Sequence, residues 1–230
     1  MHSKIILIAF LNIAALSTPL LSSASIQNDL DHIELKEISK QVLELKEGKI
    51  SDILNGFSID VKNWNWILEE GFLPENINAI TTFTAEGAVT TFDYNKLAKA
   101  SNISVARTII HELVHAYLLL SFQYNSVKAK QLFPGIVKAW NNQSKPDYNE
   151  IQHQEMALSF VGDIAFALQE VNERQGVVAD NSIYLDLAWG GLDYQNNESL
   201  DFSDKERIQI RLVAAQLNLP EEKLKIKMSL

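Results

Sequence analysis

From Ser104 to Phe122 apolar residues cover almost the whole circumference of a helix. A helix on a protein surface is apolar along one stripe only, so a helix of this kind has to be buried on most sides by other elements. The chain has the material to do that: its 230 residues, 47% of them hydrophobic, describe one ordinary globular domain with a sizeable core. Set into the same helix are His111, Glu112 and His115. Polar groups buried in such a place each need a partner.

Around that helix the sequence supplies further elements. Met1 to Ser25 reads as a secretory signal, with Lys4 as its positive charge, Ile5 to Leu16 as its apolar run and Ser22, Ser23 and Ala24 as small residues for cleavage after Ala24. The run spans 12 residues, short of the ~20 that a membrane-crossing helix needs. The mature chain is therefore expected to be secreted or periplasmic, with no stable membrane span. Apolar residues at near-helical spacing predict an amphipathic helix over Asp29 to Lys46, stopped by Gly48. Ile77 to Thr84 and Ala88 to Phe92, rich in Thr, Ile, Val and Phe, flank Ala85-Glu86-Gly87 and predict a β-hairpin with Gly87 in the strained position. Helices are expected over 126–140, where Pro134 should break or kink the run, over Asn149 to Val171, and over Ser203 to Leu217. With no internal repeat and no long linker, residues 25–230 are expected to form one mostly helical α+β domain with a small sheet or hairpin before the buried helix.

Composition removes several kinds of chemistry. The chain has no cysteine, which excludes disulfides, thiolate-bound metals and a cysteine nucleophile, and leaves His, Asp and Glu as strong metal ligands. A formal charge of −9 and the lack of any Lys/Arg-dense stretch argue against a nucleic-acid partner.

His111-Glu112-Leu113-Val114-His115 is an H-E-x-x-H sequence, for which this composition gives roughly 0.008 chance matches. Residues i and i+4 of a helix project from one face, so His111 and His115 can share one tetrahedral zinc ion. Glu112, at the edge of that face, can reach a water on the ion without itself being a ligand, which makes it the natural general base. A third protein ligand is needed. Beyond the signal only His32 and His153 remain, and His32 sits among charged residues where it reads as solvated. His153 begins a stripe with Ala157, Phe160, Ile164, Ala167 and Val171, so it is expected to point inward and complete the set. Glu155 and Glu150 are its acidic rivals. Glu155 is about 200° around a helix from His153 and cannot share its ion, whereas Glu150 and Asp163 could orient a histidine instead. Tyr94, Tyr148 and Tyr184 are candidate donors to a developing oxyanion. Trp189-Gly190-Gly191-Leu192 has two readings: a close wall to a substrate cleft, or the end of a helix from Ser182 with Trp189 in the core.

With its motif helix preceded by a strand pair, the chain resembles the zincin metallopeptidases. The longer pattern, Ala106-Arg107-Thr108 before the motif and His153-Gln154-Glu155-Met156-Ala157 opening a later helix, is similar to SprT-like and bacterial secreted zincin-like proteins, over roughly Ala88 to Leu168. It departs from the metzincin pattern, whose glycine and third histidine would fall at Leu118 and Ser121. The resemblance implies a zincin-like fold, Zn²⁺ held by His111, His115 and His153, and a peptide or protein substrate. It also implies a strand that takes up substrate as a further strand, a role Ala88 to Phe92 could fill. The nucleic-acid association of some SprT-like proteins does not carry over to an exported acidic chain. A secreted zinc metallopeptidase is thus the expected function. The alternatives are a non-catalytic zinc-binding module, such as an inhibitor, immunity protein or surface adaptor, and hydrolysis of a cell-envelope amide by the same chemistry.

Overall fold

The computed structural model of the chain describes residues 25–57, 64–123 and 148–220. The expected signal sequence and the expected helix over 126–140 lie outside them. The described residues form strands β1 (Ile26–Asn28), β2 (Trp66–Glu70), β3 (Ala79–Thr84) and β4 (Gly87–Phe92). The helices are α1 (Ile33–Leu43), α2 (Gly48–Gly56), α3 (Tyr94–Leu97), α4 (Asn102–Gln123), α5 (Tyr148–Ser159), α6 (Val161–Arg174), α7 (Asn181–Ala188) and α8 (Phe202–Gln216). The protein is α+β and mostly helical, with one mixed sheet in the order β1-β2-β4-β3.

Helix α4 is the centre of the core. Every residue from Ser104 to Phe122 except Tyr117 is buried, because β3, β4, α1, α2, α5, α6, α7 and α8 all pack on it. It is long and apolar enough to cross a bilayer, yet 83% of its most apolar window is covered by the protein itself. Ile109, Ile110, Leu113, Val114, Leu118 and Leu120 are completely buried, each stabilising the fold by ~1.5–3 kcal/mol. Their burial offsets the cost of keeping His111, Glu112 and His115 in the same helix.

The hairpin forms where its β-branched residues predict it. Thr81 stands directly opposite Thr90 in the antiparallel register. Ala88, Thr90 and Phe92 alternate onto the buried face of β4. Gly87 has φ +135°, and a β-carbon there would lie 2.5 Å from the carbonyl oxygen of Asn65. Both constraints demand glycine, so Gly87→Val is expected to cost ~2–4 kcal/mol of stability, read as a fall in the urea midpoint; an unchanged midpoint would contradict this account.

Three expectations change. The sheet has two more strands than the hairpin, because β1 and β2 pair in parallel across 40 residues, Ile26 opposite Trp66, and such a pairing leaves no local turn signal. The expected helix over Asp29 to Lys46 is shorter. Asp29 N–H extends the sheet ladder to the Leu68 carbonyl, while Glu70 accepts from the backbone N–H groups of Asp31 and His32 where α1 begins. Gly48, at φ +76°, then begins α2 instead of only stopping α1. Finally, the expected helix from Asn149 to Val171 is divided at Phe160, whose φ and ψ are −129° and −9°. Lys49 from α2 donates to the Ser159 carbonyl at that point and lies over the Phe160 ring.

Candidate metal centre

One turn of α4 separates His111 from His115, and their Nε2 atoms stand 3.1 Å apart. Helix α5 brings His153 to the same point, its Nε2 lying 3.3 Å from that of His111 and 3.0 Å from that of His115. The rings are inclined to one another by 54° to 64° and converge by their tips. An Nε2 offers one in-plane position, either a lone pair or an N–H. Three such atoms packed mutually cannot all satisfy one another by hydrogen bonding, whereas one shared cation satisfies all three. The group of His111 and His115, both buried, with the partly buried His153 can therefore hold a metal ion.

A residue that sequence reasoning missed sets one of these rings. Gln152, itself buried, places Oε1 2.5 Å from His115 Nδ1. An amide oxygen only accepts, so Nδ1 carries the proton and Nε2 keeps the lone pair a metal requires. The residues expected to do this are occupied elsewhere or lie outside the described side chains. Asp163 pairs with Lys49 at 3.3 Å. Glu150 belongs to α5, but its side chain is not among those described. Glu155, the acidic rival ligand, accepts from Ser159 Oγ at 2.9 Å and is not in the histidine group.

Burial dominates the electrostatics. It pushes the imidazoles of His115 and His153 down to about 4 and that of His111 well below its ordinary value, where neighbouring His115, His153 and Arg107 add to the effect. All three rings are accordingly neutral at pH 7, the form that binds cations. Glu112 is pushed up to about 7 by burial, against the opposing hydrogen bond from Thr81.

That hydrogen bond is the last of a chain. Trp66 Nε1 donates to Thr90 Oγ1 at 2.8 Å, Thr90 Oγ1 lies 2.6 Å from Thr81 Oγ1, and Thr81 Oγ1 donates to Glu112 Oε2 at 2.6 Å. The hairpin register that sets Thr81 opposite Thr90 is what makes this possible. The other Glu112 oxygen carries no hydrogen bond from a described residue.

A cavity of about 640 Å³ opens beside the three rings, within the range of small-ligand sites. It is bounded by the stretch from Asn76 through β3, by one face of α4, by Gln152 and His153, and by Gly190 and Gly191. The Gly-Gly pair follows α7 as the helix-ending reading requires, and it also forms the wall. A β-carbon on Gly191 would sit 2.9 Å from the His111 ring, and one on Gly190 would overlap the Arg107 guanidinium. The strand facing the cavity is β3, not the Ala88 to Phe92 strand expected to take up substrate: β4 has β2 on one side and β3 on the other and so has no free edge.

The remaining sequence candidates fall away from the site. Tyr94 stacks on His32 and donates to Glu34, and Tyr184 is buried against Asn172. Tyr148 is described by its backbone alone. His32 is not simply solvated, since its Nδ1 meets Glu70 at 2.5 Å. No family model, curated protein or solved structure matches the chain.

Proposed function

We propose that the protein is a secreted, zinc-dependent peptide hydrolase of the zincin kind, with Zn²⁺ held by His111, His115 and His153. One observation carries this reading: three imidazoles meet at their Nε2 atoms beside an open cavity, and the carboxylate of Glu112, from the helix that bears two of them, lines it. Nitrogens bound tetrahedrally to zinc at ~2.0–2.1 Å stand ~3.3 Å apart, and the three separations of 3.0 to 3.3 Å suit that arrangement. An all-nitrogen set without thiolate fits zinc better than the hard cations, which prefer oxygen. The 640 Å³ cavity favours an enzyme over a closed structural site.

Zinc bound there would act as a Lewis acid toward a substrate carbonyl and would acidify a water. The protein's own part is proton transfer and positioning. Glu112 takes a proton from the water through the oxygen that Thr81 does not hold, then returns it to the leaving nitrogen. Gln152 keeps His115 in the tautomer that leaves Nε2 free. Among the described residues β3 is the outer strand of the sheet on the cavity side, where an extended peptide can lie along it.

Metal analysis of the purified protein tests the proposal, followed by digestion of a peptide library with and without chelator. One zinc per chain and chelator-sensitive cleavage are expected. Absence of bound zinc, or cleavage indifferent to chelation, would overturn it. The hydroxyl chain supplies a finer check. Thr81→Val should lower kcat by ~10–100-fold at unchanged zinc content, as loss of an outer partner does, whereas Thr81→Ser should restore most of it. Equal kcat in Thr81→Val and wild type would remove Thr81 from the mechanism.

A further inference from the structure

Arg107 stands four residues before His111 on α4, on the same face as both motif histidines. It lines the cavity, yet it is only 8% exposed. None of its donors meets a described residue, and its Nε is fully buried without a partner. A buried guanidinium left without a carboxylate is costly to the fold. Among the described residues the only acidic one lining the cavity is Glu112, one oxygen of which is taken by Thr81. Gly190 makes room for the guanidinium itself, which lies where a side chain at that position would begin. The site thus presents a desolvated cation to its own cavity inside a chain of formal charge −9.

We propose that Arg107 binds a carboxylate of the substrate and makes the enzyme selective for peptides that carry one close to the scissile bond. A guanidinium pairs with carboxylate through two parallel N–H···O bonds, and burial strengthens that pairing. Four residues of helix separate Arg107 from His111 by ~6 Å along the axis, and an extended peptide advances ~3.3–3.6 Å per residue. The carboxylate therefore belongs to the substrate's C-terminus or to an Asp or Glu side chain, one or two residues from the bond cut. This inference rests on the reading of the site as a peptide hydrolase.

The test uses the full-length zinc-loaded protein and matched peptides, one pair ending in carboxylate or carboxamide, another carrying Glu or Gln beside the cleaved bond. A charged form is expected to be preferred in kcat/KM by about tenfold or more, and the pair that shows the preference identifies the source of the carboxylate. In Arg107→Met the ratio should fall toward one, and in Arg107→Lys part of it should remain. Equal cleavage of charged and neutral peptides, or a preference that survives in Arg107→Met, overturns the proposal. If no peptide is cleaved, the hydrolase reading fails, and the same peptides are titrated calorimetrically into zinc-loaded Glu112→Gln protein with Arg107 or Met at position 107. Tighter binding of the charged form that depends on Arg107 still supports an anion site, and equal binding rejects it. Should Arg107→Met not fold, the charged-to-neutral ratios of wild type and Arg107→Lys decide.

Discussion

Replacing Glu112 with glutamine is expected to lower peptide turnover by ~10²–10⁴-fold, the usual contribution of a positioned general base, while zinc remains at one per chain. The amide is nearly isosteric with the carboxylate and can still accept from Thr81, so the fold and the histidine cluster should be unaffected. What it cannot do is take up a proton. Turnover measured beside zinc content separates this from loss of the ion, because a ligand variant would lower both. A metal-replete Glu112→Gln protein with wild-type turnover would end the proposed mechanism. In a non-catalytic zinc-binding module the same substitution would change neither zinc binding nor partner binding through any chemical step.

Replacing His153 with alanine should have the largest effect on the ion itself. His153 is the one member of the triad not on α4, so its loss leaves two ligands from a single helix. Zinc affinity is expected to fall by more than the ~10–100-fold that removing an outer partner costs. The consequence for stability follows by mass action: a ligand at a thousand times its Kd stabilises the native state by ~4 kcal/mol. Wild type should therefore melt at a higher temperature with zinc than with chelator, and His153→Ala should lose most of that difference. His153 is only partly buried, so the chelated variant should melt near the chelated wild type. If His153→Ala keeps one zinc at unchanged affinity, the third ligand lies elsewhere.

How much could be seen in advance depended on whether the determining contacts were local. The two motif imidazoles share a face because of helix geometry alone, and the hairpin's two strands and Gly87 followed from residues adjacent in sequence. His153 was reachable because its apolar stripe showed which side of its helix turns inward, even though the helix itself bends at Phe160. That bend was not legible, since Lys49, more than a hundred residues earlier, holds the Ser159 carbonyl. Gln152 carried no signal except its place beside a candidate ligand. Thr81 became visible as a partner of Glu112 only once the strand register placed it against α4. Choosing β4 as the substrate strand was mistaken for a similar reason: β2, which covers its other edge, forms by a parallel pairing that the sequence does not announce.

The chain of contacts that begins at Trp66 has a bearing on where protons can go. An indole N–H has no lone pair with which to accept, so the wires of hydroxyls behind Glu112 terminate in a blind end. Whether Glu112 is ionised or carries its proton on the oxygen away from Thr81, each threonine hydroxyl both receives and gives a hydrogen bond. A proton captured there has no rear exit through the sheet, and must leave by the door through which it entered, facing the nitrogen that departs.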